Sequence, residues 1–424
     1  MTRTQSGSTR VVPPPRAAGS INPFRVLLTH RNFRVFWIGQ TLSLIGSWMQ
    51  TMAQSWLALE LTNNAFLVGL VASIGSMPIL LLSLPAGVLA DRAHKLRLVT
   101  ICQSLLLVEA LVLWSLVFTG HITIGWLLLL ALASGAIYAI EIPARQAMMI
   151  ELVGRDDLRD AIALNSSGFN LARIVGPGLA AAVIATAGIS WCFGLNALSY
   201  FTVLLGLARI RLPAWQPPLT TGSPLHGMLE GLRYIRATKK VATLIKFIAV
   251  FSVLGIPYIT LMPVFARDVL GLDASGYGLM LSSLGVGGLS GALALAGIGG
   301  RFRRGRLLVA AAYSYAFLLI MFSLVRAPWL AYPILLATGF TMIITNAVAN
   351  SMLQSLVADQ FRGRLMSVYS LISVGLSQVV GAFAAGAVAE AIGVDWAIGG
   401  GAAIMLGFAM YAFRRESAWI VEES

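Results

Sequence analysis

The sequence predicts an all-α polytopic membrane protein with twelve transmembrane helices in two pseudo-symmetric six-helix halves. Three observations predict it. The first is composition: 58% of the 424 residues are apolar and 11% charged, against a usual charged share of about 25%. The second is the length of the apolar runs, many of which reach the roughly 20 helical residues that cross a hydrocarbon core. Lipid offers no partner for backbone polar groups, so such runs must be helices; the short alternating strands of a membrane barrel are missing. The third is a repeat. The charged turn GVLADRAHKLRL recurs as GIGGRFRRGRLL, with Arg301, Arg304 and Arg306 placed 209 positions after Arg92, Lys95 and Arg97.

Hydropathy read against charged turns gives spans at 33–59, 65–90, 97–119, 123–144, 161–187, 189–210, 242–267, 275–299, 305–325, 328–353, 364–391 and 394–413. An offset of 205 maps Arg159, Gly176, Gly188 and Trp191 onto Arg364, Gly381, Gly393 and Trp396. An offset of 209 maps Leu61, Gly69 and Leu98 onto Leu270, Gly278 and Leu307. The second half is therefore four residues shorter between its third and fifth helices. Parallel halves of this kind are a transporter architecture, with the binding site at the midplane between them. The expected division is a disordered cytoplasmic tail over 1–29, a six-helix half over 30–210, a Pro-rich cytoplasmic linker over 211–240, a second half over 241–415 and a tail over 416–424.

The net charge of +13 is a matter of topology rather than nucleic-acid binding. Of the 30 Lys and Arg residues, only Arg267 and Arg326 fall on the outer side. Such asymmetry puts both termini in the cytoplasm of a bacterial inner membrane. Cys102 and Cys192 are too few for a disulfide framework, and the four His are scattered, so neither a metal nor another cofactor is expected. No GxxxxGK[ST], HExxH or GxSxG motif occurs, which argues against an ATP-driven pump and against an enzyme.

Several residues stand out by placement. On the first helix Gln40, Ser43, Ser47, Gln50 and Gln54 are spaced 3, 4, 3 and 4 apart, a single stripe. Polar side chains avoid lipid, so the stripe faces either a water-filled cavity or neighbouring helices. Three glutamines exceed what packing needs and favour a cavity wall. Ser134, Tyr138 and Glu141 make a shorter stripe on the fourth helix, and Asn346 and Asn350 share a face of the tenth. Glu109 sits in the middle of SLLLVEALVLW, where a charge costs about 2.5–3.5 kcal/mol on insertion scales. It is either a proton carrier or a neutral, hydrogen-bonded side chain. Arg173 lies inside the fifth helix and needs a partner; Glu141 is one candidate. Gly176-Pro177 removes a backbone donor and admits close approach, which kinks or tightens the helix.

These residues resemble the major facilitator superfamily over about 30–415. Its loop signature is matched by Gly87, Asp91, Arg92, Lys95 and Arg97, with His94 where a second Gly is usual. The stretch ARIVGPGLAAA resembles the antiporter-type Gly-Pro signature, although Ala180 and Ala181 stand where Gly is frequent. The block EIPARQAMMIELVGRDDLRDAIALNSSGFNLARIVGPG is similar to the branch of enterobactin exporters and transmembrane secretion effectors. The resemblance implies proton-linked export of a drug- or siderophore-type molecule by alternating access. It also implies a monomer, with the small-molecule substrate, protons and the bilayer as partners and no nucleic acid. Under it Asp91 would cap the eleventh helix near Arg364, while Arg92 and Lys95 would pair with Glu141, one turn before Arg145, as a latch formed in one state only. The resemblance further implies that the first, fourth, seventh and tenth helices line the cavity, where Ser47, Gln50, Gln54, Ser134, Tyr138, Asn346 and Asn350 lie. Proton coupling would then fall to Glu109, Glu141 or Arg173. The alternatives are import or facilitated passage of a neutral metabolite, and a membrane scaffold or sensor that transports nothing.

Overall fold

A computed structural model describes residues 24–210, 233–298, 302–357 and 359–415. Most of the expected tails and linker lies outside these. Phe24–Thr29, expected within the tail, forms a short helix. Twelve helical segments follow: α1 (Arg31–Thr62), α2 (Ala65–Arg92), α3 (Lys95–Phe118), α4 (Ile124–Val153), α5 (Leu158–Ala187), α6 (Ser190–Leu207), α7 (Lys239–Val269), α8 (Ala274–Ile298), α9 (Arg304–Leu324), α10 (Pro328–Ser355), α11 (Asp359–Ser370 continued by Leu371–Gly381 and Ala382–Ile392) and α12 (Val394–Arg415). Eleven are long and apolar enough to cross a membrane; α1 falls short because of its polar stripe, although its 32 residues suffice in length.

Local chemistry fixes the ends. Asn63, at φ 49°, closes α1, and the Asn64 side chain accepts from the Leu67 amide to start α2. Thr123 likewise receives the Trp126 amide at the start of α4. Gly188 (φ 89°) and Gly393 (φ 96°) end α5 and α11 in a conformation other residues rarely adopt. They are a pair already related by the 205-residue offset, so the repeat extends to backbone geometry.

One boundary moved substantially. The fourth helix was expected to stop near residue 144, at its polar residues, but α4 runs to Val153. It continues because Arg145 pairs with Glu141 within the helix, Nε to Oε1 at 2.8 Å, and Gln103 of α3 donates to the same oxygen. Charges satisfied locally do not end a helix.

Within each half the closest packing is between equivalent helices. α2 meets α4 where Gly135 lies against the Gly75 carbonyl, and α8 meets α10 where Gly339 lies against the Leu284 carbonyl. Gly287 and Gly291, a GxxxG pair, face the carbonyls of Leu336 and Phe340 on α10, so the motif serves packing inside the chain. Between halves the contacts are again equivalent pairs, α5 with α8 and α2 with α11. The backbone is less regular in the second half. α7 contains π-helical turns at Phe251–Gly255 and Phe265–Val269, and α11 one at Leu371–Gly381. Among the described residues, the corresponding first-half helices α1 and α5 are α-helical throughout.

Candidate functional site

The first-helix stripe turns into the first half and meets polar groups of α3, α4 and α6. Glu109 is 5% exposed and accepts two hydrogen bonds from Gln50 Nε2, at 3.2 and 3.4 Å. Gln50 Oε1 in turn receives Asn196 Nδ2 at 2.7 Å, and Asn196 Oδ1 receives Ser199 Oγ at 3.1 Å. Gly46 makes room for this: a Cβ there would lie 2.6 Å from Ser199 Oγ. One turn away a hydroxyl triangle joins Tyr138 and Tyr200 at 2.6 Å, Tyr138 and Ser47 at 3.2 Å, and Ser47 and Tyr200 at 3.1 Å. No cation pairs with Glu109 among the described residues; its partner is a neutral amide.

The other predicted residues spread out. Glu141 is buried and held by Arg145 and Gln103. Gln54 Nε2 is buried without a partner among the described residues, and Ser134 Oγ bonds its own helix at Ala131 O. Asn346 and Asn350 are half-buried on α10, and Asn350 Oδ1 accepts from Gln354 at 3.1 Å. Four participants were not anticipated, Gln103, Asn196, Ser199 and Tyr200. Asn196, Ser199 and Tyr200 sit at helical spacing on α6, the same kind of signal as the first-helix stripe. Carboxamides and carboxylates buried in the described interior, Gln40, Gln50, Gln103, Glu109, Glu141 and Asn196, all belong to the first half; the polar side chains buried among the described residues of the second half are hydroxyls.

The charged turn is arranged differently from expectation. Lys95 Nζ pairs with Glu151 Oε1 at 2.7 Å, not with Glu141. The extension of α4 explains it: ten residues separate the two acids, about 15 Å along a helix, so Glu151 reaches the turn and Glu141 does not. Arg92 and Arg97 are exposed, and a Cβ at Gly87 would meet nothing within 4 Å. The side chains of Asp91 and Arg364 lie outside the described part of the structure.

The halves are joined toward the side away from the termini. Arg267 of α7 donates to Asn63 Oδ1 (2.7 Å) and Leu59 O (3.3 Å), at the end of α1. Glu390 of α11 accepts from the Ala65 amide (2.9 Å), at the start of α2. A cation on a helix C-terminus and an anion on a helix N-terminus both oppose the local dipole, so the α1–α2 tip is clamped with favourable signs. Deeper in, Ser73 Oγ donates to Val379 O, Ser275 Oγ to Ala181 O and Ser282 Oγ to Ile174 O. Gly176-Pro177 sits between the halves. A Cβ on Gly176 would be 2.6 Å from Trp48 Cβ of α1, and one on Gly278 of α8 would be 2.7 Å from the Pro177 carbonyl. Arg173, one turn earlier, extends across to α8. No group of three or more metal-ligating side chains occurs among the described residues.

The profile of a family described as transmembrane secretion effector matches residues 18–419. The chain is 26% identical to the staphyloferrin A transporter of Staphylococcus aureus over 268 residues, 62% of this chain and 66% of that one. It is 24% identical to the enterobactin exporter EntS of Shigella boydii over 349 residues, 81% and 82% of the two chains. It is 26% identical to the multidrug efflux pump Tap of Mycolicibacterium fortuitum over 358 residues, 82% and 87%. Among solved structures, a peptide transporter, POT, superposes with a TM-score of 0.73 at 12% identity, over 95% of this chain and all of that one. A bacterial homologue of the human lysosomal transporter Spinster, inward-facing and unoccupied, gives 0.68 at 15% identity, over 93% and 98%. At those identities the likeness shows the fold.

Proposed function

The chain belongs to the transmembrane secretion effector family, and from that premise we propose that it is a proton-linked exporter of a lipophilic small molecule, of drug or siderophore type, working by alternating access. Membership makes it a multi-pass membrane transporter of the major facilitator type and not an enzyme. The proposal adds direction, coupling and mechanism. It places the protein as a monomer in the bacterial inner membrane with both termini in the cytoplasm, as the distribution of Lys and Arg favours.

The observation that carries the coupling is Glu109. A membrane-embedded carboxylate whose partner is a neutral amide can take up and release a proton without breaking an ion pair. Gln50 ties it to α1, the helix that also carries Ser47, and so to the hydroxyl triangle. Glu141, compensated by Arg145, is the poorer carrier. In the same reading Asp91 and the basic residues Arg92, Lys95 and Arg97 latch the side bearing the termini in one state, and the α1–α2 clamp holds the opposite side in the other.

Efflux from proteoliposomes loaded with lipophilic dyes, antibiotics and siderophores tests the proposal, run with and without a pH gradient. Extrusion should collapse when the gradient is dissipated. Asp91→Asn should slow it at unchanged protein abundance. Gradient-independent movement, or no movement of any compound by correctly folded protein, would reject proton-linked export.

The clamp makes a separate prediction. Arg267→Ala combined with Glu390→Gln should shift the population toward a state open on the side away from the termini. Spin labels at His121 and Trp329, exposed at the tips of two turns on that side, should then report a longer distance than in the otherwise native protein. An unchanged distance distribution would show that the clamp carries no weight in the equilibrium.

A further inference from the structure

Arg173 is the feature that the proposed function leaves unexplained. It is the sixteenth of thirty residues in α5, about 22 Å from the start of the helix and so near the bilayer centre. Its guanidinium leaves the first half: a Cβ built on Gly288 of α8 would lie 3.0 Å from Arg173 Nη2 and 3.1 Å from Ile343 Cγ1 of α10. The Tyr258 hydroxyl of α7 is within electrostatic reach. Gly288, Ile343 and Tyr258 all belong to the central parts of their helices. The cation therefore lies at mid-depth on the face between the halves, where transporters of this architecture bind substrate.

No carboxylate among the described residues answers it. The ion pairs of the described residues join His30 to Asp157, Lys95 to Glu151, Arg145 to Glu141, Arg267 to Asp268 and Arg326 to Asp395. Glu141, the partner suggested by the sequence, is taken by Arg145. A guanidinium in a protein stays protonated, and an embedded cation is expensive and ordinarily paired. Helix packing alone does not call for one here. Gly288 instead provides the space in which the cation is kept.

Building on the export reading, we propose that Arg173 is the counter-ion for an anionic group of the transported molecule, so that the substrate is an amphipathic anion bearing a carboxylate or a phenolate. The planar fork of Arg matches a carboxylate or a catecholate in two parallel hydrogen bonds, which a lysine ammonium cannot reproduce. The apolar helices around it would take the rest of the molecule. Asn346, half-buried about one turn from Ile343 on α10, makes no side-chain hydrogen bond among the described residues and is the adjacent neutral polar contact.

The test is equilibrium binding to the purified full-length protein in detergent, read as thermal stabilisation and by fluorescence. The probes are pyrenebutyric acid, its methyl ester, pyrenebutyltrimethylammonium, and 2,3-dihydroxybenzoic acid with the neutral methyl ester of its dimethyl ether. The anions should bind and the neutral and cationic analogues should not. Arg173→Gln should weaken anion binding by at least about tenfold and erase the preference over the ester, while Arg173→Lys should retain part of it. Gly288→Ala, which pushes the guanidinium aside and leaves its charge, should also weaken the anions. Should Arg173→Gln fail to fold, the Lys and Gly288 variants still decide. Equal binding of acid and ester, or no stabilisation of folded wild type by any anion, would overturn the proposal. Because binding needs no gradient, the two readings fail separately. Anion binding through Arg173 without gradient-driven flux would reject proton-linked export alone; gradient-driven export of neutral probes, unchanged in Arg173→Gln, would reject the anion site alone.

Discussion

Glu109→Gln is expected to yield a folded protein whose substrate accumulation across a pH gradient falls to the level seen with no gradient. Gln preserves the shape of the side chain and can still accept from Gln50, so the packing of α3 against α1 survives. What disappears is the one embedded acid without a compensating cation among the described residues. The groups facing it are Gln50 directly and Asn196 through Gln50, with the hydroxyls of Tyr138 and Tyr200 beyond. None of them replaces a carboxylate. Under the proposal that substrate binds at Arg173 between the halves, exchange at equal pH should persist, because Glu109 bonds to Gln50 within the first half. The measurement is gradient-driven uptake into inverted vesicles alongside exchange at symmetric pH. A variant with wild-type gradient dependence would remove Glu109 from the mechanism. Glu141→Gln is the informative comparison: it leaves the Arg145 cation without a compensating charge and should chiefly cost stability, since breaking a buried ion pair typically costs about 3–5 kcal/mol.

The second large effect concerns folding. Gly135→Ala should sharply reduce recovery of folded protein, and Gly339→Ala should do the same in the other half. At Gly135 a Cβ would collide with the Gly75 carbonyl and approach the Pro78 ring at 3.3 Å; at Gly339 it would collide with the Leu284 carbonyl. Backbone, unlike a long side chain, cannot step aside, so helices α2 and α4, or α8 and α10, must separate. Overpacking a tight core costs about 1–3 kcal/mol, and a backbone obstacle belongs at the upper end. Gly407→Ala is the control, because nothing lies within 4 Å of its added Cβ and Ala favours helix over Gly. Thermal unfolding followed by size-exclusion chromatography separates the cases. Equal midpoints for Gly135→Ala and Gly407→Ala would mean that these helices do not need their close approach.

Much of the architecture was legible because lipid imposes simple rules. Backbone bonding forces helices, and polar residues turn inward, so twelve segments and the internal repeat could be read from the spacing of Gly, Arg and Trp along the chain. The fourth helix shows where this stops: Glu141 and Arg145 look like the end of a span until their mutual pairing is seen. The same limitation hid the partner of Lys95. The first-helix stripe was readable as inward-facing, yet periodicity does not distinguish water from protein on that face. In the structure Gln50 meets Glu109 and Asn196, and Ser47 meets two tyrosines, one of them on a helix whose polar spacing had gone unread. Whether Glu109 faced lipid or protein depended on the rotation of α3, which a uniformly apolar helix does not reveal.

The π-helical turns of α7 and α11 set the two halves apart. Their counterparts α1 and α5 are regular, while the buried acids and amides of the described residues lie in the first half. A widened turn contains an extra residue relative to the regular helix and marks a place where the main chain can reset. The two halves are thus not interchangeable: among the described residues one combines a regular α1 and α5 with buried acids and amides, the other combines π-helical turns with buried hydroxyls. A protein rebuilt from two copies of the first half would keep the bundle and double its acids, but would lose the π-helical joints of α7 and α11.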